Sequence, residues 1–464
     1  MSKKNFLILF FVFTLNQLKA QQYGLFNTKT LFDAFENPAQ KAFVLDSSRQ
    51  YASNFLLPYL GLGGANKGDA NYTLKGLANG GYFDTDGIPI GEQRRNTVIQ
   101  NTNVYLATFR IFKSYKYHKE LGFSWQVRSD AFADYTNETL VAIDNYGRFT
   151  SAQTGLFNGN GYGQSYHQFS VTYRENWNKR LSFGAKLSLL SGMTYNKADI
   201  NASSIDVDPI TNAVSIGLQG LYKSNFLDKE EIKTKTFLPT FKNPGLSVSA
   251  GTTYTSKSGF FLMGNIKDLG FIKWNNKSHV IAINNGIVLD RTSTDKQDEI
   301  SDQLYDVLTG NDVQKSFYTA TNAKADFLIS RRFGFYTPNF IISKNLFYRG
   351  GDVVLVNNFR YNEFSVALSP TYNMNGFGML GAQGMYQTPN FEFFMGTDNM
   401  LKSVNLFRVS SPLKNTAGAS FYMGLGIKFG YTVEHPQNSS YMPGLNGDNE
   451  TTFLSKIFGI FKRK

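Results

Sequence analysis

The stretch FYMGLGIKFGYTV, Phe421 to Val433, carries an apolar residue at every second place, with Tyr422, Gly424, Gly426, Lys428, Gly430 and Thr432 between them. A period of two belongs to an extended strand, whose successive side chains point to opposite faces. Soluble strands usually run about five or six residues, whereas a tilted strand that crosses a bilayer needs roughly nine to eleven. Thirteen alternating residues therefore favour the wall of a membrane barrel over a soluble sandwich.

The pattern recurs. Leu121, Phe123, Trp125 and Val127 alternate with Gly122, Ser124, Gln126 and Arg128. Leu181, Phe183, Ala185, Leu187 and Leu189 stand against Ser182, Gly184, Lys186 and Ser188. Phe169, Val171 and Tyr173 follow the rule, as do Leu246, Val248 and Ala250, and Ala323, Ala325, Phe327 and Ile329 against Lys324, Asp326 and Leu328. Turn-like pieces such as SKSG at 256–259 and RRFG at 331–334 separate some neighbours, and longer polar stretches separate others. Short turns on one side and long loops on the other are the habit of outer-membrane barrels. The fold class expected is all-β, a transmembrane antiparallel β-barrel of about 14 strands, in a range of roughly 12 to 16. The strand parity between 259 and 331 stays open, and with it the side of the insertion at 291–315.

The first residues agree with export. MSKKNFLILFFVFTLNQLKA has a basic start at Lys3 and Lys4, an apolar run from Phe6 to Leu15 and Ala20 before Gln21, which is the layout of a secretory signal peptide. No other segment approaches the run of about 18 apolar residues that a spanning helix requires. The chain has no cysteine, so it is held by its fold alone and carries no lipid-modified cysteine. Aromatic residues make up 15%, with 42 Phe and 26 Tyr, while the mean hydropathy is −0.28. Barrels combine these traits because polar lumen residues and loops dilute their lipid-facing residues. The organisation expected is a signal peptide at 1–20, a plug segment at 21–50, the barrel with extracellular loops at 51–435 and a periplasmic tail at 436–464. In that tail Phe453, Leu454, Ile457, Phe458 and Phe461 have helical spacing before Lys462, Arg463 and Lys464, a pattern that lies at an anionic membrane surface or docks on a periplasmic partner.

Two helices are expected outside the wall. DKQDEISDQLYDVLTG has Thr294 before it as a cap, Ile300, Leu304, Val307 and Leu308 on one face and Gly310 at its end. Its acids Asp295, Asp298, Glu299, Asp302 and Asp306 lack the calcium-loop pattern and read as a solvated face. In ENPAQKAF, Asn37 is placed to cap and Pro38 fits the first helical position. The following SNFLLPYLGLG suggests the first strand, with Phe55, Leu57 and Tyr59 on one face.

LFDAFENPAQKAF before a strand, GFFLMGNIKDLGFIKW in the middle and FFMGTDNML near the end resemble an outer-membrane β-barrel family of the Bacteroidota known only as a domain of unknown function. The likeness spans nearly the whole mature chain. More distantly, the NPA of Asn37, Pro38 and Ala39 is similar to a motif of the long-chain fatty-acid transporter family and of the barrel that shuttles cargo in type IX secretion. In the transporter family that segment plugs the barrel, so the resemblance implies a plug role for Asn37, Pro38 and Ala39. It supports location and architecture more than substrate.

Enzymatic chemistry finds little support. A barrel hydrolase needs a His and a Ser on one strand face. Of the four histidines His118, His167, His279 and His435, the nearest candidate pairs His167 with Ser170, three apart and so on opposite faces. Without thiols or paired His at ligand spacing, no metal or other cofactor is expected. The chain reads as a non-enzyme.

The net charge is +12. For an exported barrel the anionic neighbours are membrane lipid and lipopolysaccharide rather than nucleic acid. Arg128, Arg174, Lys186, Lys324 and Lys428 all fall on the polar face of their strands, against one acid, Asp326. Either they form a cationic, selective lumen, or carboxylates of a loop or plug neutralise them. Two functions follow. One is a transport channel for a small or amphipathic solute. The other is a non-conducting barrel serving as subunit or anchor of an outer-membrane secretion or assembly complex. An open lumen favours the first and a filled one the second. For the wall itself, Leu187→Arg is expected to cost about 2 to 4 kcal/mol on the lipid face, with Ser188→Arg on the lumen face better tolerated.

Overall fold

The structure is a computed structural model that describes residues 22–43, 49–81, 83–113, 119–208, 210–211, 213–227, 231–290, 296–402 and 416–432. The signal peptide, the tail at 436–464, Thr294, Asp295, His118, His435, Val433 and the side chains of Asp298, Glu299 and Leu308 lie outside the described residues.

Fourteen antiparallel strand positions close into one barrel. The first is made of two pieces, Arg49–Ser53 and Tyr59–Lys67, which lie between Arg95–Lys113 on one side and the last strand, Thr416–Thr432, on the other. Leu60 stands opposite Met423 and closes the ring. Closure is what lipid demands, because an open edge would leave backbone N–H and C=O groups without partners. The alternation read from sequence is the alternation of the wall. Leu187 and Leu189 are 60% and 56% exposed, whereas Lys186 and Ser188 between and beside them are 2% and 1% exposed. Likewise Phe421 points outward, and Tyr422, Gly424, Gly426 and Lys428 point inward.

The uncertain count between 259 and 331 has a simple cause. The strand Leu181–Val207 has 27 residues, against 12 in its neighbour Pro244–Thr255. Its first half pairs with Pro244–Thr255 in the barrel, and its second half continues outward to pair with Ala213–Ser224. That strand in turn pairs with His279–Asp290, so both belong to an arm off the barrel. The helix Lys296–Gly310 follows the arm, on the long-loop end. There it joins the helix Asn137–Asn145, capped by Thr136, whose Oγ1 accepts from Thr139 N at 3.3 Å. Leu140, Val141, Ile143, Ile216, Leu289 and Ile300 bury one another in a core outside the wall. Arg49 and Thr432 pair at the opposite, short-turn end.

Two local expectations are overturned. Phe55, Leu57 and Tyr59 do not share a strand face. The strand is broken between Ser53 and Tyr59, Phe55 and Leu56 have φ of 48° and 61°, and Tyr59 is buried inward at 1% exposure. Pro58 lacks a donor for the ladder, and Asn54 substitutes side-chain bonds, accepting from Thr108 N at 2.8 Å and donating to Leu57 O at 2.8 Å. Nor does Asn37 cap a helix that begins at Pro38. The helix is Asp33–Glu36 and Asn37 ends it. Thr30 Oγ1 accepts from Asp33 N at 3.2 Å and takes the capping part, so the start signal lies six residues before the acid-rich turn ends at Glu36.

Candidate functional site

Residues 22–43 are not part of the wall ladder, yet nearly all of them are buried. Their partners come from around the ring. Tyr23 donates to Asp352 at 2.6 Å, Gln383 donates to Gly24 O at 3.1 Å, Leu31 N donates to Glu392 at 2.7 Å, Arg110 to Ala34 O at 2.9 Å and Arg174 to Ala39 O at 2.8 Å. The segment therefore lies inside the lumen. The wall makes room for it with small inward residues. A Cβ on Gly184 would sit 2.0 Å from Pro38 O, and one on Gly424 would meet the ring of Phe32 at 3.1 Å as well as the wall rings of Phe394 and Tyr59 at 2.7 and 2.8 Å. This is the use of the small inward face in the last strand.

The one-turn helix Asp33–Glu36 delivers Glu36 to the centre of a charge cluster. Arg128 lies 2.5 Å and Lys267 2.9 Å from its carboxylate, while Tyr105 and Asn103 donate to it at 2.7 and 2.8 Å. Arg128 also pairs with Asp268, to which Lys186 reaches at 2.8 Å. Lys267 and Asp268 are neighbours in sequence and both are buried, which strict alternation forbids. A β-bulge between Ile266 and Leu269, with Asp268 at φ 53°, turns both inward. Asp326 completes the group, 3.9 Å from Lys267 and accepting from Ser343 at 2.6 Å. Three cations thus face three carboxylates. Such a cluster tolerates burial only as a set, because an isolated ion in low dielectric costs several kcal/mol or more.

A second group lies nearer the short-turn end of the same strands. Arg110 and Glu120 pair at 2.6 Å, both at most 2% exposed, and Arg174 stands 3.5 Å from the same carboxylate. Lys428 lies over the rings of Phe112 and Phe43 at 4.3 and 5.6 Å. Lys324 lines a polar chamber of about 60 Å³ with Asp352 and Asp398, on the long-loop side of Tyr23. Apolar residues share the strands Phe260–Trp274 and Lys324–Arg331 with the charges. Tyr23 and Phe26 pack there with Met263, Leu328, Ile341, Val354 and Val356.

Of the lumen residues expected from sequence, Arg128, Lys186 and Asp326 meet in the central cluster. Arg174, Lys324 and Lys428 stand apart from it, each with other neighbours. Asn37 points its amide at Met263 Sδ, Pro38 faces Gly184 and Ala39 offers its carbonyl to Arg174 and Ser182. Glu36, Asp268, Lys267, Arg110 and Glu120 were missed. The doublet Lys267-Asp268, flanked by Ile266 and Leu269, was a readable signal, since two charged residues between outward apolar ones mark a bulge. His167 and Ser170 point to opposite faces of the wall. His167 accepts from Trp125 at 3.2 Å and contacts Phe237 O at 3.0 Å, while Ser170 shares a hydrogen bond with Ser188 at 2.8 Å.

A model described as “Family of unknown function (DUF5723)” matches residues 57–398. Among solved structures, the chain is similar to the TodX deltaS2S3 mutant monoaromatic hydrocarbon channel. The identity is 8% over 85% of this chain and 94% of that one, with a TM-score of 0.42. It is also similar to the P. putida toluene transporter TodX, at 7% identity over 83% and 91% of the two chains with a TM-score of 0.39. The Ralstonia pickettii toluene transporter TbuX is 11% identical over 86% and 94%, with a TM-score of 0.37. At these identities the likeness is one of fold. No curated protein gives a significant match.

Proposed function

The chain belongs to the DUF5723 family of unknown function, and we propose that it is an outer-membrane β-barrel channel for a small or amphipathic solute, with residues 22–43 as its movable plug. The observation that carries this reading is the ownership of the central charges. Glu36, which holds Arg128 and Lys267, comes from a segment outside the wall ladder. Displacing that segment leaves a passage lined both by the charged Arg128, Lys186, Lys267 and Asp268 and by the apolar Met263, Leu328, Ile341 and Val354. A passage that combines charged and apolar side chains suits an amphipathic solute.

Planar-bilayer recording tests the reading. The intact protein is expected to conduct little, and deletion of residues 22–43 to raise conductance several-fold. Lys186→Glu in the deleted form should then move selectivity toward cations, most at low salt. Silence from both forms, each folded, would count against a channel. The dense pinning of the segment favours a second reading in that case, a non-conducting subunit or anchor of an outer-membrane secretion or assembly complex. A protein that co-purifies stoichiometrically from native outer membranes would support it.

A further inference from the structure

The polar chamber on the long-loop side of Tyr23 holds acceptors that no neighbouring donor satisfies. Asp398 follows the strand Phe391–Thr397 and is 3% exposed. Its backbone N donates to Ser420 Oγ at 2.6 Å, which fixes the residue in place. The carboxylate lines the chamber, and neither of its oxygens takes a hydrogen bond of ordinary geometry among the described residues, although the Tyr23 amide lies nearby. Asn322, 6% exposed, lines the same chamber, and its Oδ1 is equally without a donor among the described residues. Buried acceptors left this way are costly, a charged one most of all.

The donors of the lining are engaged elsewhere. Tyr23 and Asn373 donate to the two oxygens of Asp352 at 2.6 and 2.7 Å. Arg349 pairs with Asp134 at 3.0 Å, and Lys324 has Asp130, Asp326 and Asp352 as its acidic neighbours. The space is about 60 Å³, room for a few water-sized groups. Ile99, Phe377 and Met379 give it an apolar part, while Asn345, Asn375 and Arg349 are partly or largely exposed and give it a solvent side. A protonated primary amine carries three N–H donors and a positive charge on one small head, which matches two carboxylate oxygens and one amide oxygen. A calcium ion wants about six to eight oxygens and would lie beside the Lys324 ammonium. A quaternary ammonium has no N–H to give and relies on an aromatic cage.

We infer that this chamber binds the ammonium group of a small primary alkylamine, with the Asp398 carboxylate and Asn322 Oδ1 as its acceptors and the alkyl part against Phe377 and Met379. The site belongs to the form that holds residues 22–43 in the lumen, since Tyr23 is part of its lining. It does not require that the lumen conduct.

Saturation-transfer NMR on the full chain in non-ionic detergent micelles tests it, with n-propylammonium and tetramethylammonium as probes and calcium as competitor. Propylammonium is expected to bind saturably and roughly tenfold more tightly than tetramethylammonium, and equimolar calcium is expected to leave it bound. Asp398→Asn keeps the shape of the side chain and removes its charge, so it should weaken propylammonium binding about tenfold or more. Asn322→Asp adds a carboxylate to the same chamber and should tighten it several-fold. A heat-modifiable gel shift would verify that each variant folds. No saturable binding, equal affinity for the two ammonium ions, displacement by equimolar calcium, or unchanged binding in folded Asp398→Asn would each overturn the site. If Asp398→Asn does not fold, Asn322→Asp decides, and unchanged or weaker propylammonium binding there would overturn it.

Discussion

Glu36 shows how far a single residue reaches in a filled barrel. Its carboxylate holds Arg128 and Lys267 and accepts from Tyr105 and Asn103. Glu36→Ala leaves two buried cations short of a partner, a change expected to cost about 3 to 5 kcal/mol. The loss falls on the docking of residues 22–43, because the wall ladder does not use that segment. Limited trypsin digestion would read it as faster cleavage after Lys29, with the wall still resistant. Gly184→Val tests the same docking by shape alone. The added Cβ would meet the Pro38 carbonyl, a backbone atom that cannot swing aside, whereas Gly264→Ala finds its nearest neighbour at 3.9 Å. The first variant is expected to loosen the segment and the second to leave it protected. Equal protection in both would show that the segment does not pack where these residues place it.

At the scale of the strand, exposure alone does not tell lipid from water. Leu187 is 60% exposed on the wall and Val288 57% exposed on the arm. Their surroundings differ, since Val288 belongs to His279–Asp290, which pairs with Ala213–Ser224 beyond the barrel. Leu187→Arg is expected to cost about 2 to 4 kcal/mol, and Val288→Arg about 0 to 1 kcal/mol, because the penalty falls away outside the hydrocarbon. Urea unfolding in matched lipid vesicles would separate them, and equal costs would remove the distinction between wall and arm. The structure also revises the expectation for Ser188. This side chain is 1% exposed, accepts from Gln168 at 2.9 Å and shares a bond with Ser170. An arginine there overpacks a filled lumen beside Lys186, so Ser188→Arg is expected to destabilise as well, by about 1 to 3 kcal/mol.

For the whole molecule, closure governs behaviour. A ring without an edge unfolds with difficulty in detergent, so the protein is expected to run faster on a gel unheated than boiled and to fractionate with outer membranes. Recovery from the soluble periplasm without detergent would contradict the membrane placement. The two ends of the ring differ, with tight turns and the pair Arg49 and Thr432 at one and a packed apolar core of loops at the other. Conductance after removal of the segment 22–43 would also report whether the loops at that end leave a way through.

The alternation of Leu187 with Lys186, or of Phe421 with Tyr422, was enough to determine strand, face and barrel, because a period of two is local and lipid admits only a closed sheet. The glycines of the last strand were visible too, though not what they make room for. The partner of each lumen charge was decided by the tertiary structure alone. Arg128 meets Asp268 across 140 positions and Glu36 across 92, distances over which no spacing rule operates. The break at Asn54–Pro58 and the inward turn of both Lys267 and Asp268 likewise depended on neighbouring strands. Periodicity reports which medium a side chain faces. Which side chain it meets there depends on how the sheet closes and what the closed sheet encloses.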